Sequence, residues 1–103
     1  MGEARMDAYR VLALARRNIL EHGWVQGYMG GKDTGFCVVG AVRDAGYALW
    51  GPSEDDGWTI AFTTLRELAR DDGHSAAGHW NDDPERTRDE VLQMLTRAAR
   101  LHC

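Results

Sequence analysis

Much of what would announce a function is missing from this 103-residue chain. Two cysteines, Cys37 and Cys103, are too few for a disulfide framework, so reduced thiols in a cytoplasmic protein are the expectation. No apolar run approaches the roughly 18 residues that a membrane span needs, so no membrane partner is expected. The opening residues, Met1-Gly2-Glu3-Ala4-Arg5-Met6-Asp7, lack the basic-then-apolar order of a secretion signal. A basic excess is missing too, since the net charge is −4 and the pI is near 5.5. Phosphate neutralisation is the main source of nonspecific nucleic-acid affinity, so no nucleic-acid partner is expected either.

Metal and nucleotide motifs are absent as well. His74 and His79 stand five apart with Asp82 and Asp83 following, and His102 precedes Cys103; none of this matches a zinc spacing, and surface histidines are the reading. The stretch Gly27–Gly35 superficially resembles a phosphate-cradling loop. However, Asp33 stands where a hydroxyl should follow Lys32, and Gln26 stands where the first glycine should be. A tight glycine-rich turn is the better account, and the sequence calls for no cofactor.

What is present points to one helical domain over residues 1–103. Hydrophobic residues make up 44% of the chain and charged residues 27%, an ordinary globular balance with enough apolar material for one core. Four helices follow from 3.6-residue periodicity. The first covers about 4–22, with Ala8, Leu12, Ala15 and Ile19 on one stripe and Gly23 as its stop. The second, about 36–50, is small or apolar on both faces and so is expected at the centre. Gly40 within it predicts the close approach of a neighbouring element. The third, about 58–70, carries Trp58, Ala61, Phe62, Leu65 and Leu68. The fourth, about 88–101, carries Val91, Leu95 and Ala98.

The start of that fourth helix is explicit. Thr87-Arg88-Asp89-Glu90 matches a capping box, in which Thr and Glu side chains satisfy each other's orphan backbone N–H groups. A short turn at 83–86 is expected before it. Residues 23–35 hold five glycines and predict a loop or small β-hairpin, with Trp24–Met29 against Thr34–Phe36. Residues 51–57 read as an acidic turn, and 71–86 as a loop that Trp80 docks on the core. The fold class expected is therefore mainly α, a compact four-helix domain with a Gly-rich loop or small β-hairpin between helices one and two.

Candidate sites are few. Cys37, His79 and Asn81 are the residue types of a thiol nucleophile, its base and an orienting amide, and a helix N-terminus would lower the thiol pKa. Against that, Cys37 lies between Phe36 and Val38 on a helix read as central, where cysteine is ordinarily buried. Trp24, Tyr28, Trp80 and Asn81 are the candidates for binding, because exposed aromatics are natural interface anchors. Asp82 reads as a turn former bonding nearby backbone, while Asn81, beside an anchored tryptophan, stays open. The acidic pairs Asp71-Asp72 and Asp82-Asp83 read as turns and caps.

The joint order of Gly23-Trp24, Cys37-Val38-Val39-Gly40-Ala41, Trp80-Asn81-Asp82 and Arg86-Thr87-x-x-Glu90-Val91-Leu92 resembles a family of short proteins of unknown function from actinobacteria and their phages. The likeness runs from the first helix to about Ala99. It implies a small cytoplasmic accessory protein, bacterial or phage-encoded, and no catalytic residues. Three functions follow as expectations. The leading one is non-catalytic binding of another protein, such as a host protein. The second is a hydrolase or transferase using Cys37. The third is self-assembly as a homo-oligomer.

Overall fold

The computed structural model describes residues 2–51 and 56–102, and within them a glycine-rich hairpin interrupts a series of helices. The order is α1 (Gly2–His22), β1 (Gly30–Gly31), β2 (Gly35–Phe36), α2 (Val38–Trp50), α3 (Asp56–Asp71), α4 (Ala77–Asn81) and α5 (Arg88–Arg100). Five helices stand among the described residues where four were expected. The extra one, α4, lies inside the expected loop 71–86. Its five residues, Ala-Gly-His-Trp-Asn, are too few to show a helical period in sequence. Most of the expected acidic turn, including Glu54 and Asp55, lies outside the described residues, as does Cys103.

The centre of the molecule is α1 rather than α2, since α1 packs against α2, α3 and α5 alike. Its Val11, Leu12, Ala15 and Ile19 are fully buried and meet Val38, Val42 and Ala45 of α2, Ala61 and Leu65 of α3, and Val91 and Leu95 of α5 in one cluster. Burying each such aliphatic side chain stabilises the fold by about 1.5–3 kcal/mol. The stripe on α1 was legible, but a stripe does not say how many helices converge on it. The small residues of α2 serve a different purpose from centrality. A Cβ on Gly40 would collide with the Met29 carbonyl, so the glycine lets the loop before β1 lie directly on the helix. The indole of Trp58 likewise lies against Gly46 at van der Waals distance.

The hairpin is shorter than expected. Gly30 pairs with Phe36 and Gly31 with Gly35, antiparallel, while Trp24 makes only an isolated parallel bridge to Phe36. Gly35 has φ +91°, a conformation that favours glycine, and a side chain there would press on the Gly23 carbonyl. The capping box of α5 is present as expected: Glu90 N donates to Thr87 Oγ1 at 3.3 Å, and Thr87 N donates to Glu90 Oε1 at 2.9 Å. The turn at 83–86 closes through Arg86 N to Asp83 O at 2.9 Å. After α5, Arg5 donates to the Leu101 carbonyl at 2.9 Å. His102 Nε2 lies 2.7 Å from Thr64 Oγ1, and burial pushes its imidazole below the ordinary histidine range.

Candidate binding face

The polar centre of the molecule is Asn81, the last residue of α4, which is fully buried. Its Oδ1 accepts from the Trp24 indole at 2.7 Å and from the backbone N–H of Val38 at 2.9 Å. Its Nδ2 donates to Val25 O at 3.1 Å and to Asp82 Oδ1 at 3.0 Å. The Val38 N–H is an orphan donor in the first turn of α2, so an amide 43 residues away in sequence caps that helix. Its own N-cap, Cys37, supplies a second acceptor, with Gly40 N donating to Sγ at 3.2 Å.

Around Asn81 the loop after α1 is fastened to the segment after α4. Gln26 Nε2 donates to the carbonyls of Asn81 at 3.0 Å and Asp83 at 2.7 Å. Gly27 N donates to Asp82 Oδ1 at 2.9 Å. Asp82 therefore joins two distant segments rather than forming a local turn, which corrects the sequence reading. Asp83 performs the local role, accepting from Glu85 N at 2.9 Å. That N–H holds the Asp83 carboxyl below its usual range, aided by His74 Nε2 at 3.1 Å. A depressed folded pKa stabilises the native state above the ordinary carboxylate range, and this contribution is lost as the pH falls through the lowered value.

Trp80 turns away from Asn81 to a second cluster. It is 3% exposed, its indole donates to Asp72 Oδ2 at 2.8 Å, and the Arg86 guanidinium stacks 3.9 Å from its ring centroid. Arg86 also donates through Nε to Trp80 O at 2.9 Å and pairs with Asp72 at 3.2 Å and Glu90 at 3.3 Å. Sequence reasoning missed Asp72 and Arg86 as partners. The only available signal was that a docked tryptophan needs an acceptor for its N–H.

The sequence candidates thus divide. Trp80 and Asn81 are buried, Trp24 is half-buried, and Tyr28 is 56% exposed. Buried groups cannot act as surface anchors; Asn81 holds the loop that carries Tyr28, and Trp80 fastens its own segment to Asp72 and Arg86. The structure does not join Cys37 to His79 by a hydrogen bond. His79 is exposed and its Nδ1 lies 2.8 Å from Ser75 Oγ, whereas Cys37 is 6% exposed and bonded to its own helix. Burial pushes the Cys37 thiol above its ordinary range, outweighing the backbone N–H groups that lower it, so the expected lowering by the helix terminus is reversed. Among the described residues no group of three or more His, Cys, Asp or Glu side chains is placed to hold a metal ion, and no helix is long and apolar enough to cross a membrane.

In a Cys103→Ser background, iodoacetamide is expected to label native Cys37 on the order of a hundredfold more slowly than the unfolded chain, because reaction waits on opening of the α2 N-terminus. Equal rates in native buffer and in denaturant would refute that placement.

Beside this latch three large apolar side chains reach solvent. Tyr28 and Met29 are 56% and 37% exposed at the entry to β1, and Tyr47 of α2 is 50% exposed. Met29 and Tyr47 line one open cleft of about 280 Å³, floored by Gly30, Gly40 and Phe36 and edged by Arg43 and Asp44. Asn18 of α1 steadies its rim, donating to Ala41 O and Asp44 Oδ2, each at 3.2 Å.

Fold and junction together define a small, mainly helical protein with a two-stranded insert whose entry loop is pinned by the buried Asn81 amide. The chain belongs to a family of unknown function, DUF6197, whose model matches residues 4–101. No curated protein and no solved structure matches it.

Proposed function

We propose that this protein acts without catalysis, by binding another protein through the face formed by the hairpin and α2. The observation that carries the reading is the exposure of Met29 and Tyr47 on one cleft, with Tyr28 exposed next to Met29 in the chain, each with a third or more of its surface in water. Large apolar side chains left exposed together cost solvation free energy, and aromatic anchors of this kind dominate interface energetics. A second support is rigidity: the Asn81 bonds and the contact of Met29 with Gly40 fix the loop, which lowers the entropy lost on binding. The partner class is a cytoplasmic protein, a host protein where the chain is phage-encoded.

Affinity purification of the tagged chain from cells of its source provides the test, run beside the Tyr28→Ala/Tyr47→Ala variant. Both side chains are half or more exposed, so the variant is expected to melt within about 1 kcal/mol of the parent. The parent should retain a specific protein that the variant loses, with affinity reduced about thirtyfold or more. Retention of nothing by the parent, or equal retention by both, would count against this face.

A further inference from the structure

A second surface, on different elements, carries its own chemistry. Two open cavities of about 580 and 310 Å³ adjoin in the groove between α1 and α5, and both are lined by Arg16, Thr96 and Arg100. Arg97 borders the larger one. Among the described residues Arg10, Arg17 and Arg86 each have a carboxylate partner, whereas Arg16, Arg97 and Arg100 have none; most other arginines also lack one, and what sets these three apart is that they share one groove. The Nε of Arg16 is moreover shut off from solvent with no acceptor. A buried donor without a partner costs about 1–3 kcal/mol, and the half-buried Arg16 side chain still lines both cavities. Three unpaired guanidinium groups along one groove, on a chain of net charge −4, do not follow from bulk composition.

The rest of the lining is mostly apolar, with Asp89 and Gln93 its polar members. Leu92, Leu95 and Ala99 form the floor, Tyr9 and Leu101 the ends, the latter two 42% and 53% exposed. We propose that this groove docks an acidic amphipathic helix of a partner protein. Apolar residues of the helix would cover the exposed Tyr9, Ala13 and Leu101, while its carboxylates meet the arginines. Arg97 and Arg100 are three apart on α5, so acids three or four apart on the partner match them in register. From Asp89 to Leu101 the groove runs about 18 Å at 1.5 Å per residue, the length of a helix of about twelve residues. The exposed Tyr9, Ala13 and Leu101 match the apolar face of a peptide helix and offer nothing to a phosphodiester backbone, which favours a peptide over nucleic acid; Asp89 at one end repels either anion, so the partner's acids belong at the Arg97 and Arg100 end.

The test is selection of helix-forming peptides of about twelve residues from a random displayed library on the wild-type chain. The expected winners carry Asp or Glu three or four apart with Leu, Ile or Phe between them. Their affinity should fall about tenfold or more for Arg97→Gln/Arg100→Gln, and Arg97→Glu/Arg100→Glu should select Lys-bearing peptides instead. Both arginines are exposed and unpaired, and the melting curve of each variant checks its folding. On the wild-type chain alone, amide chemical shifts should move at Tyr9, Thr96 and Leu101 on peptide binding, and binding should weaken as salt rises. Tyr28→Ala/Tyr47→Ala should bind the same peptides unchanged, which separates this groove from the hairpin face. Winners without acidic residues, shifts confined to other surfaces, tighter binding of a single-stranded DNA oligonucleotide at the same residues, or arginine-dependent self-association of the chain would each overturn the proposal.

Discussion

Asn81→Ala is expected to destabilise the protein by about 3–5 kcal/mol, a loss of roughly 15–25 °C in Tm for a chain of this size. The substitution leaves the fully buried Val38 N–H, together with the Trp24 indole N–H and the Val25 carbonyl of two half-buried residues, without their partner. Each stranded group costs about 1–3 kcal/mol, reduced where the loop relaxes enough to admit water. Because total stabilities run at about 5–15 kcal/mol, the loss is a large share of the whole. Asn81→Asp separates the roles of the amide. The new carboxyl keeps both acceptor bonds but turns a donor into an oxygen facing Val25 O and Asp82 Oδ1. Those acceptors raise its folded pKa above the unfolded value of about 3.9. The difference from wild type is therefore smallest below about pH 3.9 and grows as the pH rises through the folded pKa. Urea unfolding at acidic and neutral pH reads both effects. An alanine variant within about 1 kcal/mol of wild type would show that the latch is dispensable.

Trp80→Ala should cost about 3–5 kcal/mol, and Trp80→Phe only about 1–2. The alanine leaves a cavity beside the core and removes the surface on which Arg86 stacks. The phenylalanine fills most of that volume, keeps a ring beneath the guanidinium, and loses the 2.8 Å bond to Asp72. The same unfolding series measures both. Equal losses for the two variants would overturn the view that packing, rather than the indole hydrogen bond, is the larger part of what Trp80 contributes.

The two results would also bear on the hairpin face. Tyr28 and Met29 lie on a loop held at one end by Cys37 N donating to Met29 O at 3.1 Å and at the other by Gln26 and Gly27 against Asn81, Asp82 and Asp83. Loosening Asn81 should weaken binding at that face before the core melts, because one of the two ends that order the loop depends on the segment after α4.

Local features of the fold are legible in the sequence. The periodicity of the first helix, the Thr87 capping box and the turn before it all depend on residues within a few positions of one another, and each is where the spacing placed it. Gly40 announced a close neighbour, although the identity of that neighbour, the Met29 backbone, was hidden. The site was harder. Asn81, Asp82 and Trp80 were legible as an anchored segment, but their partners Trp24, Gly27, Asp72 and Arg86 come from other parts of the chain. A side chain's hydrogen-bonding capacity is written in its residue type, and its partner is not.

The sequence by itself determined a mainly helical protein, where four of its helices run, the way the last of them starts, and a glycine-rich insert between the first two. These follow from hydrophobic period, capping chemistry and backbone freedom, all of them local. Only the tertiary structure decided that α1 is the centre, that a fifth short helix forms, that Asn81 caps α2 from across the fold, and that Cys37 is enclosed with its thiol pKa raised. Each of these depends on what lies opposite a residue in space, and contact between distant segments is set by packing of the whole core rather than by any stretch of chain.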